Sequence, residues 1–114
     1  MQPTNLTVRK DRRSLEISFE NGETYELSAE ILRVLSPSAE VQGHSPEQRK
    51  TVGGKRDVEI MQMEQVGQYA VRITFDDMHS TGIFSWDYFQ ELGKNQEEKW
   101  AEYLSELAEK GMVR

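Results

Sequence analysis

The feature that most constrains the fold is a regular alternation of apolar and polar residues on both sides of Asn21-Gly22. Residues 15–19 alternate before this dipeptide, and residues 24–27 continue the alternation after it. Asn-Gly is typical of a two-residue hairpin turn, in which both positions adopt positive φ. Residues 6–8 alternate in the same way. The sequence therefore predicts a small antiparallel meander with one face in water.

The middle of the chain carries a short helix pattern and two further strand patterns. Ser28 is predicted to cap a helix that ends before Pro37. Residues 58–66 and 69–76 alternate as two strands separated by a glycine-containing turn. In the first of these strands the alternation changes phase after Ile60, which indicates a bulge or a strand covered on both faces.

Two helix patterns complete the chain. Ser85 is predicted to cap a helix that Gly93 ends, and residues 95–111 are predicted to form a second, amphipathic helix. We expect Trp86 and Trp100 to be core anchors. Strands first and helices after them indicate an α+β fold, a small antiparallel sheet of about five to six strands with two to three helices. The apolar stripe of the last helix consists of Trp100, Tyr103, Leu104, Leu107, Ala108 and Gly111.

Length and composition are those expected of one domain over residues 1–114. Hydrophobic residues make up 36% of the chain, which suffices for one modest core, and no apolar run is long enough to span a membrane. Residues 1–10 lack the apolar stretch of a secretory signal, so a cytoplasmic location is expected. The absence of cysteine excludes disulfides, thiolate metal sites and cysteine nucleophiles.

Charge is distributed unevenly along the chain, whose formal net charge is −6. Residues 1–57 hold nine Lys/Arg and nine Asp/Glu, whereas residues 58–114 hold five and eleven. The second half therefore carries all of the net negative charge. An acidic half of this kind argues against a nucleic-acid partner.

The stretch from Ser36 to Asp57 shows no sustained periodicity, and connections of this length in compact domains are often functional. Cations cluster there around two consecutive glycines, whose backbone N–H groups are able to converge on an anion. We therefore predict an anion or partner site, with a charged, solvated hairpin as the alternative. The candidate residues are His44, Arg49, Lys50, Gly53, Gly54, Lys55 and Arg56.

His44 and His79 are the two histidines, and hence the only imidazole bases. No serine lies in the G-x-S-x-G pattern of a nucleophile. Two histidines with Asp76 or Asp77 supply the residue types of a non-haem iron triad, but nothing in their spacing favours one. A lone histidine beside a turn is more often a hydrogen-bonded structural residue, and we expect His79 to organise the turn between a strand and a helix.

Three segments together resemble one family. In this order, "LRVLSPSAEVQGH", "GKRDV" and "HSTGIFSWDYFQEL" are similar to the small N-terminal domain of γ-butyrobetaine hydroxylase-like proteins, over residues 5–94. The resemblance implies a compact α+β module that precedes the oxygenase domain of carnitine-synthesis enzymes. Related copies are appended to P-loop iron–sulfur cluster carriers, and many bacterial copies stand alone. The oxygenase machinery lies in a separate domain, which is not expected within these residues.

In the hydroxylases that the chain resembles, this domain holds a structural zinc through three cysteines and one histidine. The histidine matches His79, whereas the cysteine positions fall near Ser36, Ser38 and Val41, which are poor ligands or none. The resemblance therefore implies that the zinc site is lost, and no cofactor is expected. Zinc or iron bound weakly at His79 would need new ligands, for which the candidates are Asp76, Asp77 and His44.

The sequence and the resemblance together predict a non-catalytic accessory or binding module that acts through a protein partner in metal or iron–sulfur handling. An iron–sulfur carrier or an oxygenase is the partner class that the resemblance implies, and neither nucleic acid nor membrane is expected. We expect a monomer or a weak homo-oligomer. Two alternatives stay open: a weak metal-binding protein that uses His79, and a small enzyme with an unrecognised site.

Overall fold

The computed structural model describes residues 2–43 and 50–114. Within these residues the chain forms six strands and four helices, so the predicted α+β class is confirmed. In the same part of the chain, no helix is both long enough and apolar enough to cross a membrane. The elements are β1 (Pro3–Val8), β2 (Ser14–Phe19), β3 (Thr24–Ser28), α1 (Ala29–Val34), α2 (Ala39–Gln42), β4 (Ile60–Val66), β5 (Ala70–Phe75), β6 (Gly82–Ser85), α3 (Trp86–Lys94) and α4 (Gln96–Glu109).

The strands form two sheets, whereas the sequence predicted one. Their orders are β1-β2-β3 and β4-β5-β6, and every pairing is antiparallel. The sheets meet where the N–H of Ile60 donates to the C=O of Arg12 (2.8 Å). Arg12 has φ of 63°, so the chain turns away from β1 at this contact. Alternation identifies strands but does not say whether strands far apart in sequence pair with each other, which is why the split was missed.

The predicted N-terminal meander is confirmed, but its second turn differs from the expected one. Gly22 alone has positive φ (88°), and Asn21 does not. The N–H of Gly22 donates to the C=O of Phe19 (3.1 Å), and the N–H of Phe19 donates to the C=O of Glu23 (2.8 Å). This is the longer hairpin loop in which an ordinary turn is followed by a left-handed glycine.

The two sheets and the helices enclose one apolar core. Inward residues of β2 and β5 are fully buried, and outward residues of both strands are only partly covered. The predicted caps are present: the Ser28 hydroxyl accepts from the N–H of Ile31 (3.0 Å), and the Ser85 hydroxyl accepts from the N–H of Tyr88 (3.1 Å). The largest fully buried side chains are Tyr103, Phe75, Phe84, Phe89, Leu15, Ile17, Leu27, Ile31, Leu32, Ile60, Ile73 and Leu92.

The phase change in β4 is a bulge, as one of the two predicted explanations has it. The register shifts between Ile60, paired with Phe75, and Gln62, paired with Thr74. Because of the extra residue, Met63 packs against the core together with Ile60, whereas Met61 is half-exposed. The sequence pattern had placed Met63 on the face opposite Ile60, so that assignment was wrong.

The C-terminal helices depart from the predicted bounds and faces. Gly93 does not end α3, which continues to Lys94, and α4 runs over Gln96–Glu109. Only Tyr103 and Leu107 of the α4 stripe are buried, so the buried face of the helix is narrower than the predicted stripe. Trp86 is a buried anchor as predicted, but Trp100 is only partly buried. The stripe residues left exposed are Leu104, Ala108 and Gly111.

Candidate functional site

His79 lies in the turn between β5 and β6. Its C=O accepts from the N–H of Phe75 (2.9 Å), and its N–H donates to Oδ1 of Asp77 (3.1 Å). Met78, at the apex, has φ of 71°. The sequence placed this turn directly before a helix, but the short strand β6 (Gly82–Ser85) lies between them.

The imidazole of His79 is buried and hydrogen-bonded on both nitrogens. Nε2 lies 3.0 Å from Oγ of Ser36 and 3.3 Å from Oγ of Ser38, and Nδ1 lies 3.3 Å from Oε2 of Glu40. A carboxylate only accepts hydrogen bonds, so we assign the ring proton to Nδ1, and Nε2 accepts from the serine hydroxyls. These four residues are the His79 cluster. They tie the segment around α2 to the β5–β6 turn.

The charge state of the cluster follows from its surroundings. Burial lowers the pKa of His79, and the positive charge of Arg33 lowers it further. The nearby carboxylates of Glu40 and Asp77 oppose this shift but do not reverse it. His79 is therefore a neutral imidazole at pH 7, which agrees with an Nε2 atom that accepts a hydrogen bond.

Close packing also depends on Gly82, the first residue of β6. A Cβ atom at this position would overlap Oγ of Ser36 and lie 3.1 Å from the ring of Phe84. Ser36 is completely buried, so its hydroxyl has no room to move away. Gly82 thus gives Ser36 the space it occupies beside His79. The contact with Ser36 explains why the motif "HSTG" ends in glycine.

A partly buried ion-pair group adjoins the cluster. Oδ2 of Asp77 lies 2.7 Å from Nε of Arg33 and 2.6 Å from Nζ of Lys55. Burial opposes ionisation of Asp77, but the hydrogen bonds from Lys55 and Arg33 outweigh it and lower the pKa to about 2. Among the described residues, Nη1 of Arg33 is buried without a hydrogen-bond partner. Lys55 is therefore held in the structure by Asp77.

The donor set of the cluster does not fit the structural zinc that the resemblance implies. Over residues 2–43 and 50–114, no three His, Cys, Asp or Glu side chains are placed to hold a metal ion. Two serine hydroxyls stand at the positions matched to cysteines, and Val41 contributes only a buried hydrocarbon side chain. Asp76 accepts from the N–H of Glu59 (3.1 Å) instead of facing His79. His79 occupies the position matched to the zinc-binding histidine, but its ring nitrogens are hydrogen-bonded to Ser36, Ser38 and Glu40.

The predicted anion or partner residues lie in several environments. The N–H of Gly54 donates to the C=O of Val113 (2.9 Å), and a Cβ atom on Gly53 would lie 2.6 Å from the same oxygen. The paired glycines therefore leave room for the backbone near Val113, and the Gly54 N–H is already hydrogen-bonded within the protein. Lys50 and Arg56 are exposed. His44 and Arg49 lie outside the described residues.

Beside these residues is a surface cavity of about 550 Å³, which we call the Arg56 cleft. Its walls carry both signs of charge. Arg114, on one wall, makes two hydrogen bonds to the buried carboxylate of Glu30 (2.8 and 3.1 Å) and lies over the ring of Trp100 (5.1 Å). Sequence reasoning missed Glu30, Glu40 and Arg114, because nothing in their local pattern marks long-range partners. The lining residues are Gly54, Lys55, Arg56, Asp57, Val58, Asp76, Asp77, Val113 and Arg114.

Comparison with known proteins places this arrangement in a family. The model of the family described as gamma-butyrobetaine hydroxylase-like, N-terminal, matches residues 6–90. No curated protein matches the chain at a significant level. Two solution NMR structures are similar to it. One shares 42% identity over 98% of this chain and 88% of its own, with a TM-score of 0.83. The other shares 43% identity over 99% and 84%, with a TM-score of 0.85.

A crystal structure from Acidithiobacillus ferrooxidans is also similar, with 35% identity over 81% of this chain and 92% of its own and a TM-score of 0.68. That protein is described as one of unknown function in the DUF971 family. The family match and these relatives agree with the resemblance carried by the segments around Ser36, Lys55 and His79. The chain belongs to the γ-butyrobetaine hydroxylase-like N-terminal domain family.

Proposed function

We propose that this domain is a non-catalytic accessory module that acts by binding a protein partner in metal or iron–sulfur handling. The observation that carries the proposal is the Arg56 cleft, an open cavity whose exposed rim combines cations and carboxylates. Mixed charge of this kind is typical of the polar rim of a protein interface and favours rapid, salt-dependent association. The pathway is inferred from the oxygenases and iron–sulfur carriers to which related domains are attached.

The hydrogen bonding of the His79 cluster supports a structural role for His79 in a partner-binding domain, and not catalysis or metal binding at this residue. The lone pair of Nε2 faces the hydroxyls of Ser36 and Ser38, and Nδ1 faces Glu40. A metal ion or a substrate proton would have to displace these internal partners. Neither alternative, a weak metal site or a small enzyme, is favoured by a specific contact among the described residues.

The proposal is tested by reversing two exposed cations of the predicted partner segment, Arg56 in the lining of the cleft and Lys50 outside it. Lys55 is left in place, because it is part of the Asp77 ion pair. The variant is Lys50→Glu/Arg56→Glu. A matched control, Arg72→Glu/Lys94→Glu, makes the same change in net charge at two other exposed cations. Exposed charges contribute about 0–1 kcal/mol each to stability, so both variants should fold.

Each protein is used to capture partners from lysate of the source organism, and the captured proteins are identified by mass spectrometry and titrated directly with the purified domain. We expect the wild type and the control to bind the same metal or iron–sulfur protein, more weakly at high salt. The cleft variant should lose it. Equal capture by the cleft variant at the same salt would refute the role of this surface.

A further inference from the structure

Each of the two sheets ends in an open edge, and the two edges face each other. Among the residues that the structure describes, β1 pairs only with β2, and β4 pairs only with β5. The strands approach at one end, where the N–H of Ile60 donates to the C=O of Arg12. Further along, residues 2–6 lie opposite Met63 and Gln65 across an open cavity. β1 and β4 therefore run side by side in opposite directions without pairing with each other.

The free backbone groups of β1 can be assigned from its pairing. The N–H of Arg9 donates to the C=O of Ser14 on the β2 side (3.0 Å). Backbone groups alternate in direction along a strand, so the N–H and C=O groups of Leu6 and Val8 point away from β2 and toward the gap. Within the described part of the chain, these groups have no backbone partner.

The free backbone groups of β4 can be assigned from its pairing with β5. The N–H of Trp86 donates to the C=O of Tyr69 (2.9 Å), so odd-numbered residues of β5 direct their backbone groups toward β6. The even-numbered residues of β5 then bond to β4. The register pairs them with even-numbered residues of β4, so the backbone groups of Met63 and Gln65 face the gap. Two rows of unpaired donors and acceptors thus line opposite sides of one groove.

Polar side chains such as Thr4, Gln65 and Gln68 contribute to the lining of the groove, and its most buried lining residues, which form the floor, are apolar. Two cavities, of about 470 and 340 Å³, follow the gap and share Met63. The larger is floored by Leu6, Val71 and Trp86, and the smaller by Val8 and Ile60. A groove with strand edges as walls and apolar side chains as floor has the features that an extended peptide needs: main-chain hydrogen bonds for affinity and pockets for alternate side chains.

Positive charge at one end of the groove favours an acidic peptide. Lys10 and Arg12 line the smaller cavity. Among residues 2–43 and 50–114, neither forms an ion pair, and Arg12 is held by the carbonyl of Met61 (3.1 Å). Arg9, in contrast, is already paired with two glutamates of the first sheet. On a chain of net charge −6, this end is locally positive.

We propose that an extended peptide segment of a partner protein inserts between β1 and β4, with acidic residues beside Lys10 and Arg12. The inserted strand joins the two three-stranded sheets into one and covers both open edges, which folded proteins usually protect. This surface shares no lining residue with the Arg56 cleft. The inference goes beyond the proposed function and stands or falls independently of it.

The test uses a synthetic peptide of about eight residues, the length of an ordinary strand. The peptide alternates valine and threonine, carries glutamates at one end and is made in both chain directions. A matched peptide has lysines in place of the glutamates. Binding is followed by hydrogen exchange of backbone amides and by the fluorescence of Trp86 in a Trp100→Phe background. We expect the acidic peptide to slow exchange at Leu6, Val8, Met63 and Gln65 by at least tenfold.

Two variants test the walls and the charged end separately. Gln65→Pro removes one N–H that faces the gap and leaves the pairing with β5 intact, because proline is tolerated at an open edge. Lys10→Glu reverses the charge at the end of the groove, and Arg56→Glu is its control at the other surface. Gln65→Pro and Lys10→Glu should each weaken binding of the acidic peptide at least tenfold, with unchanged melting temperatures. Arg56→Glu should have no effect.

Three outcomes would overturn the inference. The first is that no peptide changes exchange at the four amides. The second is that the lysine peptide binds as well as the acidic one. The third is a dimer in light scattering whose β1 and β4 amides are already protected without peptide, since a second copy of the chain would then be the occupant. Loss of partner capture in the Arg56 cleft variant bears only on the proposed function.

Discussion

Gly93 provides a sharp test of how α3 packs on the first sheet. It lies inside the helix, and a Cβ atom there would lie 2.6 Å from Cδ2 and 2.7 Å from Cδ1 of Tyr25, and closer still to Cγ. Cγ is fixed to the β3 backbone through Cβ, so rotation of the ring does not relieve the overlap. The ring of Tyr25 is also backed by Phe19 in an edge-to-face contact at 6.3 Å.

Two opposing effects set the magnitude of Gly93→Ala. Gly93 is the next-to-last residue of α3, where alanine is favoured over glycine by at most the helix-interior value of about 1 kcal/mol. Forcing an extra methyl group into a packed contact typically costs about 1–3 kcal/mol. Because the overlap is with the root of the ring and not its tip, we place this site in the upper part of that range. The free energy of unfolding should therefore fall by about 1–2 kcal/mol.

The assay is urea unfolding followed by circular dichroism, with Tyr25→Ala as the second arm of a double-mutant cycle. In the Tyr25→Ala background, Gly93→Ala should raise the free energy of unfolding by up to about 1 kcal/mol. The sign of the effect thus reverses when the ring is removed. A rise in the free energy of unfolding on Gly93→Ala with Tyr25 intact would show that Tyr25 does not cover this turn of α3.

Four further predictions follow from the site and the core. The pKa of His79 is lowered in the folded state, so the neutral imidazole contributes fully to folding stability above the ordinary pKa near 6.5 and loses this contribution as the pH falls. The free energy of unfolding should therefore decline below about pH 6.5 in the wild type but not in His79→Asn. Asp77, with a pKa of about 2, should stabilise the fold by at most about 1–2 kcal/mol, because solvent screens this partly exposed group; the contribution is lost between about pH 4 and 2, and Asp77→Asn should lack this transition in acid titrations. A strong chelator should leave the melting temperature unchanged; a drop of many degrees would indicate a structural metal. Trp86→Ala should cost about 3–5 kcal/mol in urea unfolding and Trp100→Ala less, because only the first ring is buried; equal losses would contradict the packing of α4.

Local sequence patterns predicted those elements whose position depends on one strong local signal, such as a helix cap or a turn glycine. The caps at Ser28 and Ser85 and the hairpin at Gly22 depend on residues a few positions apart, and the structure has them where the sequence places them. The bulge after Ile60 was visible as a change of phase. Short elements were missed: α2 has four residues and β6 has four, too few to establish a period.

Long-range contacts explain most of the remaining differences. Gly93 looked like a helix end, but it is glycine because Tyr25, far away in sequence, packs against it. Gly53-Gly54 were predicted from their backbone freedom to bind an anion or a partner, and the structure adds a contact with the distant carbonyl of Val113. The residue type was informative in both cases, and the reason for it lay in a distant segment. The partners of His79 show the same limit, since the resemblance indicated Ser36 and Ser38 but not Glu40.

Site-specific photo-crosslinking in the source cells tests the proposal that the domain binds a partner at the Arg56 cleft. The photoreactive residue is placed at position 56 and, as a control, at the partly exposed position 72 on the second sheet. We expect a discrete adduct from position 56 alone, which mass spectrometry should identify as a metal or iron–sulfur protein. Identical adducts from both positions, or none from position 56, would contradict the proposed role of the cleft.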